Sequence, residues 1–142
     1  MSKILEQDTE FTDIDVIREA LEQQGFSPVF KQGYAARAMH GFAGATFRAN
    51  LGVTKSNFTA VTGLHTYGDL GFAVKADGTI GFIADDYLIE SDEFETVYDG
   101  IKTAYAEKKY VRELYECGFA PHPRNVTSTG EVELIFTRVD GL

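Results

Sequence analysis

The 142-residue sequence has no tryptophan, one cysteine, three prolines and no long apolar run. A single cysteine, Cys117, excludes an internal disulfide. Nothing approaches the ~18 apolar residues of a membrane helix, and the first eight residues lack the apolar core of a signal peptide. We therefore expect a soluble protein of the cytoplasm or of a stroma-like reducing compartment, with no membrane contact.

Basic residues are also scarce, because 13 Lys and Arg stand against 22 Asp and Glu, for a formal net charge of -9. Phosphate backbones and anionic lipids repel so acidic a chain, which argues against general nucleic-acid binding. The charge fits docking to a basic protein partner, or solubility alone. What the chain does have is 44% hydrophobic residues, with 11 Phe and 7 Tyr, enough for the core of one domain.

Local patterns place the secondary structure. Residues 1–11 are mostly polar and predict a flexible N-terminal segment, before a single domain over 12–142. Thr12 and Asp92 are predicted to cap two helices that end at Gly25 and Gly118. Further ranges predict β-structure: a hairpin over 70–84 around Asp-Gly, two short strands within 34–51, a strand over 57–64 and a last hairpin over 124–139.

The two predicted helices end alike, because residues 21–28 and 114–121 share Leu, Gly, Phe and Pro at the same offsets. This predicts an α+β fold from a duplicated α-β-β unit: an antiparallel sheet of about 5–6 strands with two main helices on one face, in ferredoxin-like pseudo-symmetry. The other face would be solvated, shielded, or covered by a partner or a second copy. The parts are a first repeat (12–32 and 70–84), an insert (33–67) and a second repeat (92–139).

A set of short motifs runs through the second half of the chain. They read Tyr67-Gly68-Asp69-Leu70-Gly71-Phe72, Ala76-Asp77-Gly78-Thr79, Ala84-Asp85, Tyr105-Ala106 and Cys117-Gly118-Phe119. This pattern resembles a small family of cyanobacterial, plastid and phage proteins of unknown function, known as a conserved chloroplast reading frame. The resemblance implies a cytosolic or stromal accessory protein (in the host cytoplasm if viral) and no specific chemistry.

Candidate ligand-binding residues lie in and just after the insert. Arg37, His40 and Arg48 occur near glycines, and arginine beside exposed backbone suits a phosphate or carboxylate. His65 and Asp69, four residues apart, suit an acid–base pair or polar ligand contacts, although a hydrogen-bonded structural histidine is the simpler interpretation.

Metal and nucleophile signals are few. Asp85 and Asp86 precede the second helix and are the metal candidates, whereas the acids that follow them favour the helix dipole. No EF-hand, zinc or phosphate-loop spacing occurs, and no cofactor is predicted. Cys117 is predicted at a helix C-terminus, where the negative end of the dipole disfavours a thiolate nucleophile.

Three functions stay open. The first is a non-enzymatic protein-interaction module that presents its acidic surface or open sheet face. The second is a small-molecule or anion-binding protein, or an enzyme, with a cleft at the insert 33–67. The third is an acidic mimic of nucleic acid. The absence of catalytic spacing favours the first.

Overall fold

The computed structural model describes residues 3–30, 37–41, 45–121, 125–133 and 136–138. They form two compact units, residues 1–105 and 106–142. The boundary falls inside the longest helix, so the assignment of one domain over 12–142 stays a prediction. Within the described ranges, every helix is too short or too polar to cross a bilayer.

The fold is α+β, as predicted. In chain order the elements are β1 (Ile4–Asp8), α1 (Ile14–Gln23), β2 (Val29–Phe30), β3 (Arg37–His40), β4 (Thr46–Ala49), β5 (Leu51–Val53), α2 (Lys55–Thr62), β6 (Leu70–Val74), β7 (Ile80–Asp85), α3 (Asp86–Ile89), α4 (Asp92–Glu116), β8 (Phe119–Pro121), β9 (Asn125–Val126), β10 (Val132–Glu133) and β11 (Phe136–Arg138). The first unit contains a five-stranded antiparallel sheet in the order β1-β7-β6-β5-β2.

Strand β1 corrects the prediction of a flexible segment over 1–11. It pairs with β7 over its whole length, with Leu5 opposite Ala84, and the Asp8 carboxylate forms an ion pair with Lys75. The polar composition was misleading because β1 is an edge strand, and an edge strand keeps its outer side in water.

Both long helices begin with a cap one residue away from the predicted one. The Asp13 carboxylate, not Thr12, caps α1 and accepts two first-turn N–H groups at 3.0 and 3.3 Å. The Ser91 hydroxyl accepts the N–H three residues on at 3.2 Å, so Asp92 is the first residue of α4 and not its cap. The capping chemistry was therefore predicted correctly, but its position was not.

The strand predicted over 57–64 is wrong, because these residues form most of α2. Thr54 caps that helix by accepting the Asn57 N–H at 3.2 Å. Phe58 is the one described residue of α2 that is buried, so the helix contacts the core through a single ring. The loose alternation of polar and apolar residues was a surface pattern and not a strand pattern.

The hydrophobic core lies on one face of the sheet, against α1 and the first half of α4. Helix α4 is buried as far as Tyr105, whose hydroxyl accepts the backbone N–H of Thr12 at 3.0 Å. Tyr115, farther along α4, is 62% exposed. The largest fully buried side chains of this core are Phe58, Phe72, Ile17, Leu21, Leu51, Ile80 and Leu88.

The β3–β4 hairpin covers the opposite face of the sheet. The Met39 side chain lies against Gly52, where a Cβ atom would overlap it. A Cβ at Gly71 would lie 2.7 Å from the Cβ of Ala49 and 2.8 Å from a ring carbon of Phe47. The insert thus shields this face, which was one of the alternatives predicted for it, and the chain itself covers the β5–β6 surface that was the alternative contact for a homo-oligomer.

Asn50 marks the point where the β4–β5 segment leaves the sheet. Its backbone N–H donates to the Phe72 carbonyl at 3.0 Å, and its side-chain oxygen accepts the Val74 N–H at 2.9 Å. The residues before it pair with β3, and those after it pair with β6. The side chain therefore satisfies a sheet N–H that the departing strand no longer reaches.

The second unit contains the end of α4 and the predicted last hairpin. Its strands pair antiparallel, β8 with β11 and β9 with β10, as two ladders of their own. The helix before them ends at Glu116, and Gly118, two residues on, has the positive φ of +90° expected of the predicted stop. All five strands of the larger sheet precede residue 86, so the duplicated unit and its ferredoxin-like symmetry stay predictions.

The contact at Gly71 yields a stability prediction. We expect Gly71→Ala to reduce the free energy of unfolding by about 1–3 kcal/mol, because the hairpin must move away from the sheet. Gly100→Ala is the matched control: its new methyl would meet only the flexible end of Gln24, at 2.8 Å, and would gain helix propensity. Urea denaturation of both variants measures the effect. Equal stability of the two would contradict this account of the hairpin.

Candidate functional site

Three aromatic side chains form an exposed cluster, which we call the aromatic cluster: His65, Tyr67 and Tyr87. The His65 ring lies edge-on to Tyr67 at 4.7 Å between centroids and to Tyr87 at 6.0 Å, and the tyrosines are 5.2 Å apart. Tyr67 is 36% exposed and Tyr87 54% exposed. These rings are ordered against one another yet reach solvent.

The Asp85 carboxylate holds both tyrosine-bearing segments. It is 2% exposed. One oxygen accepts the Thr66 hydroxyl at 2.5 Å and the Tyr67 N–H at 2.9 Å, and the other accepts the Leu88 N–H at 2.9 Å and so caps α3, the helix that carries Tyr87. A single buried carboxylate therefore fixes the two backbones from which the cluster projects.

These contacts bear on the predicted metal candidates. Both oxygens of Asp85 accept hydrogen bonds, and an oxygen of Asp86 accepts the Lys3 N–H at 3.0 Å. Among the described residues, no three His, Cys, Asp or Glu side chains are grouped so as to hold a metal ion. Asp85 therefore caps α3, and Asp86 accepts a hydrogen bond from the residue that precedes β1.

A second buried carboxylate, Asp69, joins three other segments. It is 9% exposed. Its oxygens accept the backbone N–H of His40 at 2.9 Å and of Lys55 at 2.7 Å, and its own N–H donates to the His40 carbonyl at 2.8 Å. Asp69 thus ties the β3–β4 hairpin and the start of α2 to the chain that enters β6.

A surface groove of about 680 Å³ lies beside α2, and we call it the hydroxyl groove. Hydroxyl groups, one ammonium group, one imidazole and the edge of a carboxylate line it. The N-terminal end of α2 lies at this groove, and the positive end of the helix dipole favours a negative ligand there. The lining residues are Thr54, Lys55, Ser56, Thr59, Ala60, His65 and Asp69.

The structure brings some of the predicted site residues together. His65 and Asp69 line the same groove, and His40 meets Asp69 through its backbone. Arg48 is exposed and lies opposite Ala38 in the hairpin ladder, and Arg37 lies opposite Ala49. The two arginines therefore are not opposite each other in the ladder, and Arg48 is not a lining residue of the groove.

The two tyrosines and Lys55 were missed as site residues. Tyr67 and Tyr87 are 20 positions apart, and only the contacts of Asp85 bring their segments together. No local spacing carries that information. One feature of the sequence pointed to the aromatic cluster. An aspartate, Asp85, ends an otherwise apolar predicted strand and directly precedes Asp86 and Tyr87.

Comparison with known proteins identifies one family. A family model described as a protein of unknown function, DUF1257, matches residues 20–135. This range contains the aromatic cluster and the hydroxyl groove but not β1. No curated protein and no solved structure matches the chain.

The Asp85 contacts yield a prediction about the site. We expect Asp85→Asn to reduce the free energy of unfolding by about 2–3 kcal/mol. The side-chain NH₂ of the new asparagine would replace one carboxylate oxygen and would face N–H or O–H donors that it cannot accept from. The ring signals of Tyr67 and Tyr87 should also change in NMR spectra. Asp77→Asn is the control, since that exposed carboxylate also accepts two hydrogen bonds, both from Thr79, and should lose less. Unchanged tyrosine signals in Asp85→Asn would refute the anchoring role.

Proposed function

Because the chain belongs to the DUF1257 family of proteins of unknown function, we propose its function from its own geometry: a non-enzymatic protein-interaction module whose contact surface is the aromatic cluster. The observation that carries the proposal is the pair of exposed tyrosines packed edge-on around His65. The family match favours no particular chemistry, so the proposal depends on this surface.

The rigidity of the cluster supports a binding role. Tyrosine is enriched among the residues that dominate protein interfaces. It presents a large contact area with few rotatable bonds, so that little conformational entropy is lost on binding. Here the supporting backbone is already fixed by Asp85, which lowers that cost further.

The charge of the chain supports a basic partner. With a formal net charge of -9, the domain attracts positively charged proteins over several ångströms and repels nucleic acid. Such attraction speeds association and falls with added salt. The single cysteine agrees with a partner in a reducing, cytoplasm-like compartment.

The contacts of the polar residues support binding over catalysis. Each oxygen of Asp69 accepts a backbone N–H, so this carboxylate serves as an anchor for chain segments. His65 packs its ring against two tyrosines. An acid–base pair needs the two groups within hydrogen-bond reach of each other or of a substrate, and both have structural partners instead.

Removal of the two tyrosines tests the proposal. We expect Tyr67→Ala/Tyr87→Ala to lose partners that the wild-type chain captures from lysate at low salt, with affinity for a purified partner reduced on the order of 30-fold per tyrosine. Tyr110→Ala/Tyr115→Ala, which removes two exposed tyrosines of α4, is the matched control. The measurements are quantitative mass spectrometry of the captured proteins and calorimetry with the purified one.

Two outcomes would contradict the interaction module. One is the absence of any captured protein at low salt. The other is a set of captured proteins that the cluster variant and the α4 variant retain equally, since this would place the contact surface elsewhere. Circular dichroism of each variant separates a lost surface from a lost fold.

A second function is favoured by the hydroxyl groove. Its hydroxyl groups, Lys55 and His65 suit a small anion or a polyhydroxylated ligand such as a sugar phosphate. The sequence analysis also left a ligand-binding protein open. Of the residues predicted for that function, His65 and Asp69 line the groove, and Lys55 is a further lining residue. The third function, an acidic mimic of nucleic acid, stays a prediction, and none of the contacts described above favours it.

A thermal-shift panel of nucleotides, sugar phosphates, carboxylates and metal ions tests the groove. At a ligand concentration of ten times Kd we expect a rise in Tm of about 3 °C. The rise should disappear in Lys55→Met and persist in Lys102→Met, a helix lysine outside the groove. A flat panel, or equal loss in both variants, would end this alternative.

A further inference from the structure

The hydroxyl groove and the aromatic cluster adjoin each other at His65. This residue lines the groove, and its ring packs edge-on against Tyr67 and Tyr87. Asp69, which also lines the groove, follows Tyr67 by two residues. A ligand that contacts His65 from the groove is therefore close to the two tyrosines, and one ligand can contact both features.

The rings of the aromatic cluster have faces that no other ring of the cluster covers. Three rings have six faces, and an edge-on contact covers one face, so the three edge-on contacts cover at most three. Tyr67 and Tyr87 both reach solvent, the second with more than half of its surface. Every nucleobase has a flat π face, and such a face stacks on an exposed tyrosine ring.

The hydroxyl groove has hydrogen-bond donors and acceptors side by side. Lys55 and Ser56 are exposed and bring an ammonium and a hydroxyl group. The Thr59 hydroxyl already donates to the Leu64 carbonyl at 3.0 Å, so its oxygen is left to accept. A ligand hydroxyl group both donates and accepts, whereas an ionised phosphate mainly accepts. The mixed lining therefore favours a ligand with several hydroxyl groups.

Asp69 favours a neutral ligand over an anion. Its carboxylate is buried at the edge of the groove, and each oxygen accepts one backbone N–H. An ionised carboxylate has about four lone-pair sites, so both oxygens can accept further bonds. A carboxylate repels a phosphate but accepts the hydroxyl groups of a ribose, as acidic side chains do in dinucleotide-binding folds. Residues 54–68 contain no Asp or Glu, which leaves Asp69 as the acceptor of this kind.

The size and the fixed backbone of this surface also suit a small molecule. The groove measures about 680 Å³, and ligand sites commonly measure roughly 300–1,000 Å³. Asp85 fixes the backbone of Tyr67 and the helix that carries Tyr87, and Asp69 fixes the start of α2. A ligand therefore meets groups that are already in place, which lowers the entropic cost of binding.

We propose that the groove and the cluster together bind a ribonucleoside. The base packs face-on to one of Tyr67 and Tyr87 and edge-on to the other, and the ribose diol donates to Asp69. The proposal rests on the groove of the second proposed function and narrows its ligand to a neutral nucleoside. A bound base would cover the tyrosines of the interaction module, so that nucleoside and protein partner would exclude each other.

An NMR titration of the full chain with adenosine tests the proposal. We expect saturable amide shifts over residues 54–69 and 85–88. Binding should be about 5-fold weaker or more for 2′-deoxyadenosine, which lacks the diol, and for methyl β-D-riboside, which lacks the base. AMP should bind no more tightly than adenosine, because Asp69 and the net charge of -9 oppose its phosphate.

Substitutions locate the base. We expect Tyr67→Leu/Tyr87→Leu to weaken adenosine binding about 10-fold or more, because the stacking rings are lost. Tyr67→Phe/Tyr87→Phe keeps both rings and should bind as the wild type does. Tyr110→Leu/Tyr115→Leu is the matched control, since it removes two exposed tyrosines of α4, and its affinity should stay within about 2-fold of the wild type.

Four results would overturn the proposal: no saturable shift with adenosine, equal affinity for 2′-deoxyadenosine, tighter binding of AMP, or equal loss in the cluster and α4 variants. The deoxy probe tests the Asp69 contact on the intact chain, so no substitution of this anchoring residue is needed. Thermal melts establish that each variant is folded. The titration contains no protein partner, so a negative result leaves the interaction module standing, and a failed capture from lysate leaves the nucleoside site standing.

Discussion

Two buried carboxylates organise the surface of the first unit. Asp69 and Asp85 lie at the ends of neighbouring elements, and together they accept hydrogen bonds from four backbone N–H groups and one hydroxyl. A buried N–H without a partner costs about 1–3 kcal/mol, so each carboxylate determines where several segments can lie. The aromatic cluster and the hydroxyl groove both depend on this arrangement, because His65 and Tyr67 belong to the loop that the two carboxylates position.

The sheet adds a second constraint, since both of its faces are occupied. The helices fill one face with large side chains, and the hairpin of β3 and β4 approaches the other so closely that a Cβ at Gly71 would overlap Ala49 and Phe47. The insert is therefore a structural layer and also the position of His40, whose backbone contacts Asp69. Scaffold and candidate site cannot be assigned to separate ranges of the chain.

Elements with a local cause were predictable from the sequence. The hairpin of β6 and β7 follows from Asp-Gly between two apolar runs, and Gly25 and Gly118 end their helices with positive φ. Elements with a distant cause were not. Strand β1 is polar and exists because β7 offers an edge. The predicted strand at 57–64 was wrong because one buried ring, Phe58, holds a helix there.

The same distinction applies to the site. His65 and Asp69 were predicted together because they are four residues apart, and they do line one groove. Tyr67 and Tyr87 were missed because they meet only through the hydrogen bonds of Asp85. Arg37 and Arg48 lie on the two strands of one hairpin, but each is opposite an alanine and not opposite the other arginine.

Strand β1 has a consequence for how the protein is handled. All six residues of β7 are buried, and β1 covers the hydrogen-bonding edge of that apolar strand with a sequence that ends in exposed Glu6, Gln7 and Asp8. An apolar strand at an open edge is a template for aggregation, whereas a charged edge strand is not. The family match begins only at residue 20. A chain trimmed to the matched range would therefore lose its protective edge and expose β7 to intermolecular pairing.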